Sequence, residues 1–597
     1  MATALIKLNK ARNKFNATPT GAMNAKFDNV PGAKFVPSSS IWTFPNNRIV
    51  CKLLDEMVKA REPIKLFSKL EMDTVSEAAN WDPASFKRPI PAGFKFKTDP
   101  LPVQQACYKE LWGMPHMSLS CDVGLGKAKM ICDLAGMFFH VGKITGMLVV
   151  MPPGICYNFM NEVAKHMSCE YDIALLKYDT ESGLRAMKKV SREVDGRLQI
   201  MVAAISRFWV EHPTPDGKKI AHRGPGIKHC EEFMRAHDCF MAIDESHSIK
   251  NAEKVQWRNS KYLSQFAQHR LIATGTQTSR KTLDIFGQYD FLDSEIIGID
   301  NYRVFKSTFC LFGGFKGKSV VGFKNEDLLV EQIAPFTFVA TREDWLNLPD
   351  LTREQVFVEK HPSQQKYIDK VIDERTELMG REDLKDWEKE NAIAQYATHI
   401  QLVSGGFYFN RVEGPPGEED VIEHLPIFKK PNDIPKVQHL LSFLEGLFLS
   451  NPEAKVLLWA HFRVEQQMLS EVLGKAKIKT TWVKSGLQPK AKNAMLVKFQ
   501  EDPEARVLLG HQQAMGTGLT INEATTSYFY SSPRDPISRT QAEGRNYRYG
   551  QTDGVLHLDV FTRGTYDKRI FDSLVEGADF DASLKKALMT GDSDMLY

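Results

Sequence analysis

Phe240-Met241-Ala242-Ile243-Asp244-Glu245-Ser246-His247 is the stretch on which the fold turns. Its apolar opening suits a strand covered on both faces, and the abrupt change to acids and polar residues marks the strand's end. Two adjacent carboxylates closing a buried strand are costly unless a cation holds them. In a parallel α/β sheet, ligands bind outside the carboxyl ends of the strands. Asp244 and Glu245 are therefore candidate metal-binding and catalytic residues, Asp244 holding Mg²⁺ through water and Glu245 orienting an attacking water.

Outward from this strand, residues 100–300 alternate short apolar strands with helical segments, the pattern of a parallel α/β domain. One strand is predicted at 148–151, with Phe159, Met160, Val163, Ala164 and Met167 on one face of the helix that follows, and another at 271–273. Residues 301–435 read as a helical insertion and linker, punctuated by Gly313-Gly314, Gly405-Gly406 and Pro415-Pro416-Gly417. Strands at 456–460, 506–509 and 527–530 then mark a second α/β domain over 436–580, followed by a tail at 581–597.

The first 50 residues carry seven basic side chains (Lys7, Lys10, Arg12, Lys14, Lys26, Lys34 and Arg48) against Asp28, a local net charge of +6. Residues 1–25 read as a basic, flexible leader, and a nucleic-acid contact or a solvated tail explains it equally. Residues 26–95 read as a small α+β module: a strand, the Pro31-Gly32 turn, a strand through Ile41-Trp42-Thr43-Phe44, and a helix over 49–60.

The 597 residues are 43% hydrophobic and 25% charged with a net charge of +3, which excludes a disordered chain. At about 150 residues per domain, the length predicts three or four folding units. The longest apolar candidate, 144–150, is cut by Pro152-Pro153, so no membrane span is expected. The N-terminus lacks the apolar core of a secretory signal. Nine cysteines without a C-x-x-C pair read as free thiols in a reducing compartment rather than a zinc site.

Two further stretches carry chemistry. In Cys121-Asp122-Val123-Gly124-Leu125-Gly126-Lys127-Ala128, Gly124 and Gly126 would let backbone amides approach phosphate, and Lys127 would add a cation at the β- and γ-phosphates. A structural turn also fits, because a strict phosphate loop has Gly at 121 and Ser or Thr at 128. In Gln541-Ala542-Glu543-Gly544-Arg545-Asn546-Tyr547-Arg548, a helix would project Arg545 and Arg548 from one face, where paired guanidiniums suit the charge on a transferred phosphoryl group.

Together, 244–251, Arg270-Leu271-Ile272-Ala273-Thr274-Gly275-Thr276 and 541–551 resemble motifs II, III and VI of the Swi/Snf-type ATPases of helicase superfamily II. In the same resemblance Gln104 is the adenine-reading glutamine and Gly124 to Lys127 are motif I. Pro152 falls in motif Ia, Ser206 and Arg207 in motif Ib, residues 456–462 in motif IV, and Gly516, Thr517, Gly518 and Leu519 in motif V. The resemblance implies two RecA-like parallel-sheet lobes with ATP and Mg²⁺ between them. Lys127, Asp244, Glu245, Arg545 and Arg548 would be catalytic, and Gln104, Gly124, Gly126, Lys127, Ala128, Gly516 and Gln541 would bind nucleotide. Pro152, Ser206, Arg207, Thr274, Gly275, Thr276 and Thr517 would contact or couple to DNA. The expected function is a DNA translocase acting as a monomer on duplex or forked DNA, independent of sequence, with RNA as another track. Residues 30–35 and 41–45 resemble the HARP-type module of annealing helicases and their bacterial or phage relatives, which implies such a host.

Two positions depart from the family. Ala128 replaces the Thr or Ser whose hydroxyl ligates Mg²⁺, and Gln277 replaces the Pro that follows Thr-Gly-Thr. Ala128 motivates a second reading, a nucleotide-responsive DNA-binding scaffold with weak hydrolysis.

Overall fold

The structure is a computed structural model. It describes residues 4–577 except 9–13, 19–26, 28–29, 31–32, 38, 46–47, 61–63, 67–68, 71, 73–74, 76–86, 193, 214–218, 278–281, 314–318, 381–397, 413–420, 488 and 516–520. The chain divides into two compact units, Met1–Thr341 and Arg342–Asp579.

The first unit begins with β1 (Ala4–Leu8), which buries Ala4, Ile6 and Leu8 and exposes Leu5 and Lys7, the period of a strand with one covered face. β2 (Lys14–Thr18) repeats the pattern with Phe15 and Ala17 inward. With β3 (Lys34–Val36), β4 (Ile41–Pro45) and β5 (Ile64–Leu66) they form a sheet of order β3-β4-β2-β1-β5. Helix α1 (Arg48–Lys59) places Val50, Cys51 and Leu54 against Phe15, Trp42 and Phe44. The expected second strand and helix are β4 and α1, but the expected first strand, ahead of Pro31-Gly32, is corrected: the strand that precedes β4 in the chain and pairs with it is β3, which follows those two residues. The expected flexible leader over 1–25 is corrected, since β1 and β2 lie inside it. Their apolar residues occur at alternate positions, a pattern that counting charges conceals. The Pro31-Gly32 turn lies outside the described residues.

Beyond α2 (Pro102–Leu111) the unit is built on β6 (His116–Cys121), α3 (Lys127–His140), β7 (Gly146–Met151), β8 (Tyr171–Leu175) and β9 (Leu198–Ala204). A hairpin of β10 (Trp209–Pro213) and β11 (Lys219–Arg223) precedes β12 (Cys239–Asp244) and β13 (Ala267–Thr274). Every residue of β7 and β9 is buried, as expected where helices cover both faces of a parallel sheet. Helix α4 (Leu283–Leu292), a hairpin of β14 (Cys310–Gly313) and β15 (Ser319–Phe323), and β16 (Thr337–Ala340) complete the unit. The sheet order is β16-β6-β13-β12-β7-β9-β8, parallel throughout.

The second unit contributes β17 (Leu351–Val358), a hairpin of β18 (Phe407–Val412) and β19 (Val421–Pro426), α5 (Pro435–Ser450), β20 (Val456–Trp459) and α6 (Arg463–Lys475). It continues with β21 (Thr480–Val483), α7 (Pro489–Glu501), β22 (Val507–Gly510), β23 (Thr526–Phe529), α8 (Pro536–Glu543) and β24 (Val555–Thr562). The parallel sheet runs β17-β24-β23-β20-β22-β21. One face packs Leu458 and Leu509 with Val437 of α5 and Leu469 of α6, and the other packs Leu457 and Trp459 with Leu496 and Phe499 of α7.

Two parallel α/β sheets and a small N-terminal α+β module match the expected fold class. The reading of 301–435 as a helical insertion and linker is corrected: β16 joins the first sheet, β17 joins the second, and one hairpin precedes β16 while another follows β17. Periodicity does not reveal β16 and β17, because β16 is buried throughout and β17 is exposed at four successive positions, so neither alternates. No helix among the described residues is long and apolar enough to cross a membrane.

Candidate nucleotide site

Strands β6, β13 and β12 are parallel neighbours, so their carboxyl ends bring three sequence features into one row. The 121–128 loop follows β6, Thr274-Gly275-Thr276 follows β13, and Asp244-Glu245 closes β12. Pro152 and Ser206-Arg207 follow β7 and β9 at the same edge of the sheet. Contact across the row is close: a Cβ on Gly275 would lie 3.2 Å from Val123 Cγ2 in the loop.

Gly124 and Gly126 adopt φ of 100° and 79°, a region that side chains rarely enter. Gly126 is also the residue before α3, and a Cβ there would strike the amide of Gln104. Gln104 is buried, accepting from Leu101 N at 2.9 Å and donating to Leu125 O at 3.4 Å, so in this structure it braces the loop. The Lys127 ammonium donates to Cys121 O at 2.8 Å and Asp122 O at 3.3 Å. The loop thus wraps its own cation at the N-terminus of α3, where a phosphate would also be favoured. Ala128 is the second residue of α3 and offers only a methyl group.

Glu245 is held at φ 54°, and its amide donates to Asp244 Oδ1 at 3.0 Å. Burial, and then the neighbouring Glu245, push the Asp244 carboxyl from the usual range up to about 7, while Lys127 pulls it down. Two oxygen-donor carboxylates that resist ionising together suit a hard divalent cation such as Mg²⁺. Glu245 Oε2 lies 3.3 Å from His247 Nδ1, which is 3.4 Å from Thr274 Oγ1. Thr274 Oγ1 accepts from Thr276 N at 3.1 Å, linking the end of β13 to the acid.

Gln277 is fully buried, and its Nε2 donates to Ser118 Oγ at 3.0 Å and Tyr289 OH at 3.1 Å. Its carbonyl accepts from Gln288 Nε2 at 2.7 Å, whose Oε1 accepts from Ser246 Oγ at 2.7 Å. The side chain of Gln277 therefore ties the segment after β13 to β6 and α4, while its backbone carbonyl reaches the polar turn after β12 through Gln288. Sequence reasoning missed this network, which becomes visible only once the strands are paired.

In the second unit α8 ends at Glu543, so the expected helical projection of Arg545 and Arg548 is corrected. Both follow Gly544 in a turn, and the chain leaves the helix before either. Arg545 is 2% exposed, its Nε donates to Gln541 O at 2.9 Å, and its carbonyl accepts from Ile521 N at 3.0 Å. Gln541 is buried and serves the arginine through its backbone. Burial and then Arg545 hold the Lys492 ammonium down at about 8, which adds a cation that no sequence signal indicated. The helix end is fixed by Arg539, bidentate to Asp559 at 2.5 and 2.7 Å and bonded to Glu543 at 2.7 Å, while Arg353 holds the other Glu543 oxygen at 2.8 Å. Burial pushes the Glu543 carboxyl up, and these arginines more than reverse it. Gly516 and Thr517 lie outside the described residues.

Loop, acids and Thr-Gly-Thr along one parallel sheet, with a second parallel sheet following in the chain, define a two-sheet α/β protein of the phosphate-loop kind. Residues 113–403 match the SNF2-related domain and 435–550 the helicase conserved C-terminal domain. The chain is accordingly a Swi/Snf-type member of helicase superfamily II. DNA excision repair protein ERCC-6 of Mus musculus is 22% identical over 84% of this chain and 33% of its own length. The SWI/SNF-related matrix-associated actin-dependent regulator of chromatin subfamily A-like protein 1 homolog of Caenorhabditis elegans is 24% identical over 56% of this chain and 45% of its own. The solved Sulfolobus solfataricus SWI2/SNF2 ATPase core in complex with dsDNA is 16% identical, covering 85% of this chain and 98% of that one at a TM-score of 0.34. The chain spans about a third of the length of the first relative, and the fold assignment rests on the two sheets themselves. These curated relatives are eukaryotic and give the expected HARP-type subgroup and bacterial or phage host no support.

Proposed function

We propose that the chain is a DNA-dependent ATPase that moves along duplex or forked DNA, remodelling or reannealing it or displacing proteins bound to it. The observation that carries this reading is the row of loop, Thr-Gly-Thr and paired carboxylates at three adjacent strand ends. In this reading the backbone amides of 124–127 and the Lys127 ammonium bind the phosphates of ATP, and Asp244 with Glu245 holds Mg²⁺. Bound Mg²⁺ would neutralise charge on the β- and γ-phosphates. Glu245, oriented by His247, takes up the proton of the attacking water, and Arg545 and Arg548 supply positive charge to the transferred phosphoryl group. Thr274, bonded to Thr276 and near His247, would pass the state of the nucleotide toward the DNA-contacting edge at Pro152, Ser206 and Arg207.

Ala128 supports the second reading, a nucleotide-responsive DNA-binding scaffold, because the metal lacks its hydroxyl ligand. ATP turnover with duplex, forked and single-stranded DNA and with duplex RNA separates the possibilities. The motor reading expects DNA-stimulated turnover, a rise of roughly tenfold or more in kcat for Ala128→Thr, about 1.4 kcal/mol at the barrier, and loss of turnover for Glu245→Gln. Tight DNA binding without hydrolysis in either the parent or Ala128→Thr would favour the scaffold. Stronger stimulation by duplex RNA would make RNA the track.

A further inference from the structure

Arg545 and Arg548 stand in a turn beyond the end of α8, so groups other than a helix must set their direction. That turn is gripped from several sides. The Arg545 carbonyl accepts from Ile521 N at 3.0 Å, and Arg545 Nε donates to Gln541 O at 2.9 Å. Asn546 is fully buried, with its Oδ1 3.3 Å from Ser527 Oγ and 3.2 Å from His557 Nε2. Gln551 Nε2 donates to Asn546 O at 3.1 Å and to Asn522 O at 3.0 Å, and Asn522 Nδ2 donates to Tyr549 O at 3.3 Å. All of these partners belong to residues 521–557, on or beside β23, α8 and β24.

One further anchor comes from far away in the sequence. Arg342, the first residue of the second unit, donates through Nη1 to the carbonyl of Tyr547 at 2.6 Å, and its guanidinium lies 5.4 Å from the centre of the Tyr547 ring. So short a bond is that of a charged donor. The carbonyl it holds belongs to the planar peptide unit that joins Tyr547 to Arg548. Pinning that oxygen fixes the plane from which the Arg548 Cα departs, and with it the direction open to the Arg548 side chain. Arg342 also stands among the charges around His557: burial holds that imidazole down at about 3, Glu543 opposes, and Arg353, Arg539 and Arg342 add to the fall. The ring against Asn546 is therefore neutral, and the arginines that surround the turn carry its positive charge.

We propose that Arg342 is a positioning residue for Arg548, holding the Tyr547–Arg548 peptide so that the Arg548 guanidinium meets the transferred phosphoryl group. This rests on the reading of Arg548 as a catalytic arginine, and Arg342 itself touches no substrate.

The test measures ATP turnover of the full chain with duplex DNA in the Ala128→Thr background, comparing Arg342→Ala, Arg342→Lys, Arg548→Ala and the Arg342→Ala, Arg548→Ala pair. Arg342→Ala should lower kcat by about ten- to hundredfold, the effect of a small misplacement of a reacting group, with the KM for ATP changed by less than about twofold. Arg342→Lys keeps a charged donor and should stay within about threefold of the background in kcat. In the Arg548→Ala background, Arg342→Ala should change kcat by less than about twofold, because the group it positions is already gone. Equal losses in both backgrounds would make Arg342 a general support of the fold, and an unchanged kcat in the single variant would make it idle; either result overturns the proposal. Arg342→Met keeps the stem and removes the donors, and it replaces Arg342→Ala if that variant fails to fold. Hydrogen exchange without nucleotide reads the geometry apart from the chemistry: the amides of 545–549 should exchange about tenfold faster in Arg342→Ala than in the background or in Arg342→Lys. Unchanged exchange there overturns the proposal whether or not the chain hydrolyses ATP. Absence of turnover in the parent and in Ala128→Thr with faster exchange in Arg342→Ala would defeat the motor reading and leave Arg342 as the anchor of the turn, whereas an active motor whose kcat ignores Arg342→Ala refutes this inference alone.

Discussion

Gln277 closes a buried polar circuit in which Ser118, Tyr289 and Gln288 each spend a donor or acceptor on it. Removing one member leaves the others desolvated, which costs about 1–3 kcal/mol per orphaned group. Gln277→Ala should therefore lower the stability of the first unit by about 2 kcal/mol or more, measured by urea unfolding, and an unchanged midpoint would count against the circuit. The restored family residue, Gln277→Pro, should do no better, since proline keeps the carbonyl that Gln288 donates to but has no side-chain amide for Ser118 and Tyr289. Ala128 behaves differently. It leaves no buried group unsatisfied, so its consequence belongs to turnover and not to folding.

Within an element, the start of α6 carries a buried acid. Glu465 Oε2 accepts from Ser531 Oγ at 2.5 Å and from Phe462 N at 3.3 Å, while a Cβ on Gly405 would strike Oε1. Burial pushes its carboxyl from the usual range up to about 7, against the opposing pull of Ser531 and Lys436, with Asp567 adding to the rise. The folded chain thus holds this proton more tightly than the unfolded chain. The contribution is complete below the ordinary glutamate range and is lost as pH rises through about 7. It amounts to roughly 3 kcal/mol from the size of the shift. Unfolding of the second unit by urea should show stability falling across that window, and Glu465→Gln should flatten the profile and raise stability on the alkaline side. A parallel fall in the variant would assign the effect to another group.

How far each element was legible in the sequence follows from the same physics. Strands β7 and β12 could be read directly, because a strand buried on both faces is an unbroken apolar run that ends where the chain emerges at a functional edge. The glycines of the loop were legible through their chemistry, and the structure gives two of them the left-handed backbone that demands glycine. The end of α8 was not. Its position depends on Arg539, Asp559, Glu543 and Arg353, which meet only after β17 and β24 have paired. Lys492 was illegible for a similar reason, since nothing in α7 announces its burial near Arg545.

For the whole molecule, two units with separate cores predict unfolding in more than one step rather than a single cooperative transition. If the first unit holds the nucleotide, ATP with Mg²⁺ should stabilise it by about 2.7 kcal/mol at a hundredfold excess over Kd and so raise the midpoint temperature of its transition. The other transition should remain in place. Differential scanning calorimetry with and without nucleotide measures this directly, and a uniform shift of both steps would show that the units unfold together.

The place of β17 in its sheet sets a timetable for biosynthesis. β17 is an edge strand whose sole strand partner among the described residues is β24, made at Val555–Thr562. While residues 359–554 leave the ribosome, Leu351–Val358 waits as an open edge, exposed to wrong pairings and to neighbouring chains. The first sheet is under no such delay, because its last strand is complete at Ala340. The sheet that carries the 121–128 loop is therefore complete before the first strand of the second sheet is made, and the second sheet closes only once β24 has been made.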